Sequence, residues 1–224
     1  MKELQDILLT LPPIRLMNAS NEDYVAINIS SSNSALHGFN VASSKEWELY
    51  IDSYIKDRHA KIAYGGYLEV RDIYNRSSHF NDTSDEDRNI HLGIDFWTQA
   101  GTVVSAPLEG VIHSFKNNTN YGDYGPTIIL EHRIGDVKFY TLYGHLSLDS
   151  IRYLQKGKKI QQGETIGYLG DAFVNGDYAP HLHFQLVIDI ENYEGDYPGV
   201  SSKERLEFYK RNCPDPNLLL KLSH

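Results

Sequence analysis

Two histidines occupy alternate positions in the apolar run 178-YAPHLHFQLV-187. In a strand, side chains two positions apart share a face at about 6.5–7 Å. Two imidazoles so placed can reach one metal ion, or one can ligate while its neighbour handles a proton. Two core histidines bonded to backbone give the same pattern, and H-x-H alone does not choose between these. Leu182, Phe184, Leu186 and Ile188 alternate with the pair, so the opposite face is core. His181, His183 and Gln185 then face a cleft.

A second feature is 91-HLGID-95. On a straight strand, positions four apart sit about 13 Å apart. Donors to one zinc must each lie about 2.0–2.2 Å from it. Gly93 offers the remedy, because glycine permits a bulge or sharp bend that brings His91 and Asp95 together. The alternative is a surface histidine and a turn aspartate. A third feature, 143-YGHLS-147, sets His145 at the end of a β run, where a solvated histidine is the simpler reading. Together these places hold four histidines and one aspartate on strand ends of one β region. Two histidines and a carboxylate leave an open position on tetrahedral zinc, which suits catalysis better than structure. No H-E-x-x-H helix is present, so spare histidines must do the proton work.

The elements that must position these residues fall into three parts. Residues 1–64 are a mixed, helical region packed on the core. Leu4, Ile7, Leu8 and Leu11 predict a short helix ending at Pro12-Pro13. A second begins at Ser43, where Ser43 and Glu46 have capping-box spacing. Residues 65–190 are the β domain. Its strand candidates are 67–74, 90–97, 102–106, 110–116, 127–132, 137–147, 165–170 and 181–189, short and punctuated by Gly, Pro, Asn and Asp. No long helical pattern interrupts them, so the sheet should be mainly antiparallel. Residues 191–224 form a helical tail, with a second capping-box spacing at Ser201 and Glu204. The expected fold is mainly β, or α+β overall: a twisted antiparallel sheet with a second small sheet and peripheral helices at both termini.

The 224-residue chain carries 21 Lys+Arg against 30 Asp+Glu, a formal net charge of −9. An acidic chain is not drawn to nucleic acid or an anionic membrane surface. One cysteine, Cys213, excludes an intrachain disulfide and reads as a small buried residue. No apolar run approaches the ~20 residues that span a bilayer. The first residues lack the features of a signal peptide, so a cytoplasmic location is expected.

The five residues resemble the lysostaphin-like, or LytM-type, zinc metallopeptidases. That family's pattern is H-x-x-x-D, a later histidine in a Y-x-H-L-S-like context, and H-x-H near the end of the domain. His91 with Asp95, Tyr143-Gly144-His145-Leu146-Ser147 and His181-Leu182-His183 stand here in that order. The spacers 101-GTVVSAPLEGVI-112 and 156-KGKKIQQGETIGYLG-170 look like the family's β-hairpins as well, and the likeness covers roughly residues 88–190. The resemblance implies a LytM-like, barrel-sandwich-related fold and Zn2+ held by His91, Asp95 and His183. It implies that His145 and His181 act beside the zinc-activated water as general base and transition-state donor. The substrate it implies is a peptide, of peptidoglycan type or otherwise short.

Two departures stand out. Some members place a tyrosine shortly before the first ligand to steady the oxyanion, and 84-SDEDRN-89 has none. Tyr121, Tyr124 or one of the histidines would have to serve. Peptidoglycan-cutting members also act outside the cytoplasm. The tail 197-YPGVSSKERLEFYKRNCPDPNLLL-220 is similar to the end of family domains that sit between a kinase-like domain and a class III aminotransferase domain.

Two other readings compete. A regulatory or binding module could keep the fold and zinc without turnover; the acidic surface favours it and the intact five residues oppose it. A cupin-like metal protein also carries H-x-H on a strand, but follows it with a glutamate and a third histidine. Here the next histidine is His224. His132 reads as structural, and His37, His59, His79, His113 and His224 carry no further argument. The acidic run 82-DTSDED-87 reads first as a solvated loop.

Overall fold

The computed structural model describes residues 2–76 and 87–223. The acidic run 82–87 falls almost wholly outside the described residues, as do His79 and His224. Helix α1 (Lys2–Thr10) is followed by β1 (Tyr24–Ala26), α2 (Ser44–Asp57) and β2 (Ile62–Gly65). Next come β3 (Ile90–His91), β4 (Ile94–Trp97), β5 (Val103–Ser105), β6 (Gly110–Asn118), β7 (Gly125–Ile134) and β8 (Val137–Gly144). Then follow α3 (Leu148–Arg152), β9 (Lys159–Ile160), β10 (Thr165–Tyr168) and β11 (His181–Val187). The chain closes with β12 (Val200–Ser201), α4 (Leu206–Asn212) and α5 (Asn217–Leu220).

The fold is mainly β, as expected. Eight strands form one large sheet in the order β1-β2-β4-β11-β8-β7-β6-β9. All its pairs are antiparallel except β1 with β2, so the sheet is mixed at one edge. Two small sheets accompany it among the described residues, β10 with β5 and β12 with β3.

The alternation in β11 sorts its side chains as read from the sequence. Leu182, Phe184 and Leu186 enter a core with Phe96, Ile128, Leu130 and Phe139. Leu4 and Leu8 of α1 and Leu219 and Leu220 of α5 close the same core, so the two ends of the chain meet there. On the far side of the sheet edge, Trp47 and Ile51 of α2 pack with Ile29, Trp97 and Ala179. The Ser43 hydroxyl accepts from Glu46 N at 3.2 Å and caps α2. The Glu46 carboxylate accepts from Asn40 N, so only half of the expected capping box forms. No helix among the described residues is long and apolar enough to cross a membrane.

Three expectations need correction. Residues 67–74 are not a strand. Gly66 and Leu68 take left-handed backbone (φ 107° and 59°), which ends the extension begun in β2. Only Val70 bridges to Ile90, and Asp72–Arg76 turn as a 3-10 helix. The run 90–97 is two strands, broken at Leu92-Gly93 and belonging to different sheets. Ser201 caps no helix. Its backbone pairs with Ile90 and its hydroxyl donates to Ser202 O, so α4 starts only at Leu206.

His132 is structural, as read. Its Nδ1 donates to Glu109 O at 2.7 Å and its Nε2 meets the Thr141 hydroxyl at 2.7 Å. Burial pushes its pKa down to about 4. That lies below the unfolded value, so the neutral ring contributes fully above pH 6.5 and its contribution is lost as pH falls toward 4. Between pH 7 and pH 4.5 this residue alone should cost about 2–3 kcal/mol of unfolding free energy. Denaturant midpoints at both pH values test this. His132→Gln should lose less stability on acidification than the parent, and parallel losses would contradict the assignment.

Candidate metal centre and its groove

Strands β4 and β11 are antiparallel neighbours with His183 opposite Asp95 and His181 opposite Trp97. The bend at Gly93 then swings His91 back over the pair. His91 Nε2 lies 2.8 Å from His183 Nδ1 and 3.3 Å from Asp95 Oδ1, and His183 Nδ1 lies 3.0 Å from Asp95 Oδ1. All three side chains are buried. The glycine is needed for this approach: a Cβ at position 93 would fall 2.6 Å from Phe184 O and 2.7 Å from His183 Cε1.

Proton placement follows from the outer partners. His91 Nδ1 faces Gly66 O at 2.9 Å, and a carbonyl only accepts, so Nδ1 carries the proton. Gln185 Nε2 donates to Pro198 O at 3.1 Å, which turns Oε1 toward His183 Nε2 at 2.9 Å. His183 Nε2 is therefore the protonated nitrogen. His91 Nε2, His183 Nδ1 and Asp95 Oδ1 are left with unshared pairs aimed at one another. Burial, then the Arg71 charge, pushes the His91 pKa down to about 3, so a proton on His91 does not relieve them at neutral pH. Burial would raise Asp95, but the Arg71 guanidinium beside it helps hold the carboxyl well below the usual range. Two imidazoles and a carboxylate in this state are a zinc-type donor set. Tetrahedral zinc with bonds near 2.0–2.1 Å spaces its donors about 3.3 Å apart, close to the distances seen. The residues fit the ion.

Arg71 orients Asp95 from outside. It is 2% exposed, and its Nη1 donates to Asp95 Oδ2 while its Nε donates to Glu69 Oε2 at 2.8 Å. Glu69 Oε1 accepts from Ile29 N at 2.9 Å, which ties the fork to the N-terminal region. The sequence reading placed this arginine in an ordinary strand and missed its role. The available signal was the pair Gly65-Gly66, which announces a turn, followed by a lone cation in an apolar stretch.

His145 and His181 stand beside the cluster with ring centroids 4.2 Å apart. Their Nδ1 atoms donate to Asn175 O at 2.7 Å and Ala179 O at 2.8 Å. Each Nε2 is left to accept. Burial lowers both pKa values, His145 well below its ordinary value, so both rings are neutral proton acceptors. His145 takes a left-handed backbone (φ 63°), held by His145 N to Tyr124 O at 2.8 Å and Gly170 N to His145 O at 2.9 Å. Of the two loop tyrosines, Tyr124 reaches the site and Tyr121 does not. The Tyr124 hydroxyl lies 3.4 Å from His183 Nε2 and its ring packs on His145 and His183. Burial raises its pKa well above 10, so it remains a hydroxyl donor. Tyr121 is half-exposed outside the groove. Cys213 is buried with Sγ 3.2 Å from Gln185 Nε2, and burial raises its pKa to about 12, which leaves it unreactive. The cluster opens on a groove of about 200 Å³.

Residues 89–194 match the family model for peptidase family M23. The DD-carboxypeptidase/endopeptidase Mpg of Neisseria meningitidis is 36% identical over 100 residues, 45% of this chain and 20% of that protein. The peptidoglycan DD-endopeptidase ShyA of Vibrio cholerae is 33% identical over 121 residues, 52% of this chain and 25% of that protein. The match thus spans a fifth to a quarter of the length of these curated relatives. The catalytic domain of the antimicrobial peptidase lysostaphin from Staphylococcus simulans is similar over 55% of this chain and 80% of that chain, at 26% identity and a TM-score of 0.38.

A lysine ammonium cannot fork between Glu69 and Asp95 as the guanidinium does. Arg71→Lys should therefore keep every donor and still weaken Zn2+ binding about 10–100-fold. Competition against a chromophoric chelator measures this, and unchanged affinity would show that Asp95 needs no such orientation.

Proposed function

We propose that the chain is a zinc-dependent metallopeptidase hydrolysing a peptide bond, a reading supported by the match of residues 89–194 to the model of peptidase family M23. The substrate is a short peptide, with peptidoglycan-type peptides first among those to test because the relative ShyA carries that activity in its name. The observation that carries the reading is the convergence of three buried unshared pairs beside two neutral histidines. His91, Asp95 and His183 are the proposed ligands. When bound there, zinc supplies Lewis acidity that polarises the scissile carbonyl and makes water acidic enough to ionise near neutral pH.

The protein's own groups do the rest. His145 and His181 accept the attacking water's proton at Nε2, since their Nδ1 protons are committed to backbone. The imidazolium so formed has an Nε2–H that hydrogen-bonds to the developing oxyanion and is then transferred to the leaving amine. The tilted pair, with centroids 4.2 Å apart, lets one ring hold the proton while the other remains neutral. Tyr124 keeps its hydroxyl proton and buttresses both His145 and His183. It is the available substitute for the tyrosine missing before the first ligand. A non-catalytic module is the weaker reading, because ligands and proton carriers stand together with their outer partners.

Metal analysis and turnover separate the proposed roles. His183→Ala should lose bound zinc, and retention of stoichiometric metal would remove His183 from the ligand set. His145→Ala should keep the metal while kcat on cross-linked peptidoglycan peptides falls about 10²–10⁴-fold. Parent protein that holds zinc and cleaves neither these peptides nor oligoglycine, with chelator-treated protein as baseline, would overturn the peptidase reading for these substrates.

A further inference from the structure

We propose that the groove contains an apolar subsite, completed by residues that precede the M23-matching segment, that receives a large aliphatic or aromatic side chain of the substrate. The identity of the occupant rests on the peptidase reading, while the subsite itself rests on the geometry. Ile29, Trp47 and Ile73 precede the M23-matching segment and line the same cavity as the His/Asp cluster, together with Trp97 and Ala179. None of the five side chains is charged. The Trp47 indole N–H is already satisfied by Val41 O at 2.7 Å, and Ile29 N by Glu69 Oε1. What this wall offers a ligand is therefore mainly carbon surface.

The wall is fixed in place and adjoins the chemistry. Ile27, Ile51 and Ala63 pack behind it, so the surface is preformed. Trp97 stacks on His181 with centroids 5.8 Å apart and planes at 22°. A side chain covering Trp97 would thus lie beside the histidine proposed to move protons. Glycine or alanine next to the scissile bond would leave the wall wet. Leucine or phenylalanine would cover it, and each methylene placed in such a pocket is worth about tenfold or more in discrimination. Ile73 is half-buried at the edge of this wall, which makes it the position to alter.

The chain's two tryptophans, Trp47 and Trp97, both line the cavity, so their emission reports its occupancy without requiring turnover. The zinc-loaded full chain is titrated with N-acetyl-leucine amide, N-acetyl-phenylalanine amide and N-acetyl-glycine amide. The leucine and phenylalanine compounds should perturb the emission with affinities at least about tenfold above the glycine compound. Ile73→Ser should weaken leucine amide about tenfold, and Ile73→Phe should block it by filling the space. Zinc content and thermal midpoint show that each variant folds. Equal affinity for glycine and leucine amides, or leucine binding untouched by both variants, would overturn the subsite. Discriminating binding without hydrolysis of any peptide would leave the subsite standing and remove the peptidase reading. Hydrolysis with no preference between glycine and leucine would do the reverse.

Discussion

Three unshared electron pairs meet in a buried space within 2.8–3.3 Å of one another. Their mutual repulsion, little screened away from water, is the constraint on which the site turns. It persists because each donor is pinned from behind. Gly66 O holds His91, Gln185 holds His183 and Arg71 holds Asp95. A site so arranged is prepared for a dication before the dication arrives. The cost of bringing donors together is met during folding, by hydrogen bonds and a buried ion pair that do not depend on the metal.

Those pins lie largely outside the segment that supplies the donors. Gly66, Glu69 and Arg71 precede residue 89, and Pro198 and Cys213, which anchor Gln185, follow residue 194. β12 pairs with β3 and steadies the backbone of His91 itself. The flanking regions therefore complete the centre in addition to covering the core. The residues before position 89 that steady Asp95, Glu69 and Arg71, are accompanied by Ile29, Trp47 and Ile73, which contribute to the apolar wall of the groove. The two sets of residues are joined at Ile29, whose amide donates to Glu69 and which lines the cavity.

The donors were legible in the sequence, because their signals are local. Alternation in 181-HLHFQLV-187 assigns both histidines to one face, and the glycine in 91-HLGID-95 supplies the bend that a straight strand forbids. Of the strands from β4 to β11, all but the two-residue β9 were found, with boundaries off by a few residues. The pins were not legible. Arg71 and Asp95 are separated by 24 positions, and no periodicity links them. Residues 67–74 have strand-like composition, yet two left-handed residues and a buried guanidinium decide their path. Propensity lost there to tertiary contacts. The Ser201–Glu204 spacing failed for the same reason, since pairing with Ile90 claims the serine's backbone first.

The break at Gly93 also bears on the order in which the molecule assembles. His91 and Asp95 are close in sequence but belong to strands of different sheets, and His91 is joined to β12 only after the intervening chain has returned. His183 lies 92 positions from His91. Long chain loops must close before such contacts reward the closure, so contacts of this kind form slowly. Hairpins such as β6–β7 and β7–β8 need no such closure. The His91, Asp95 and His183 cluster is accordingly expected to form late in folding, on a largely finished scaffold. An ion bound there would act as a clasp on the closed protein, and its release would leave the early-formed hairpins intact.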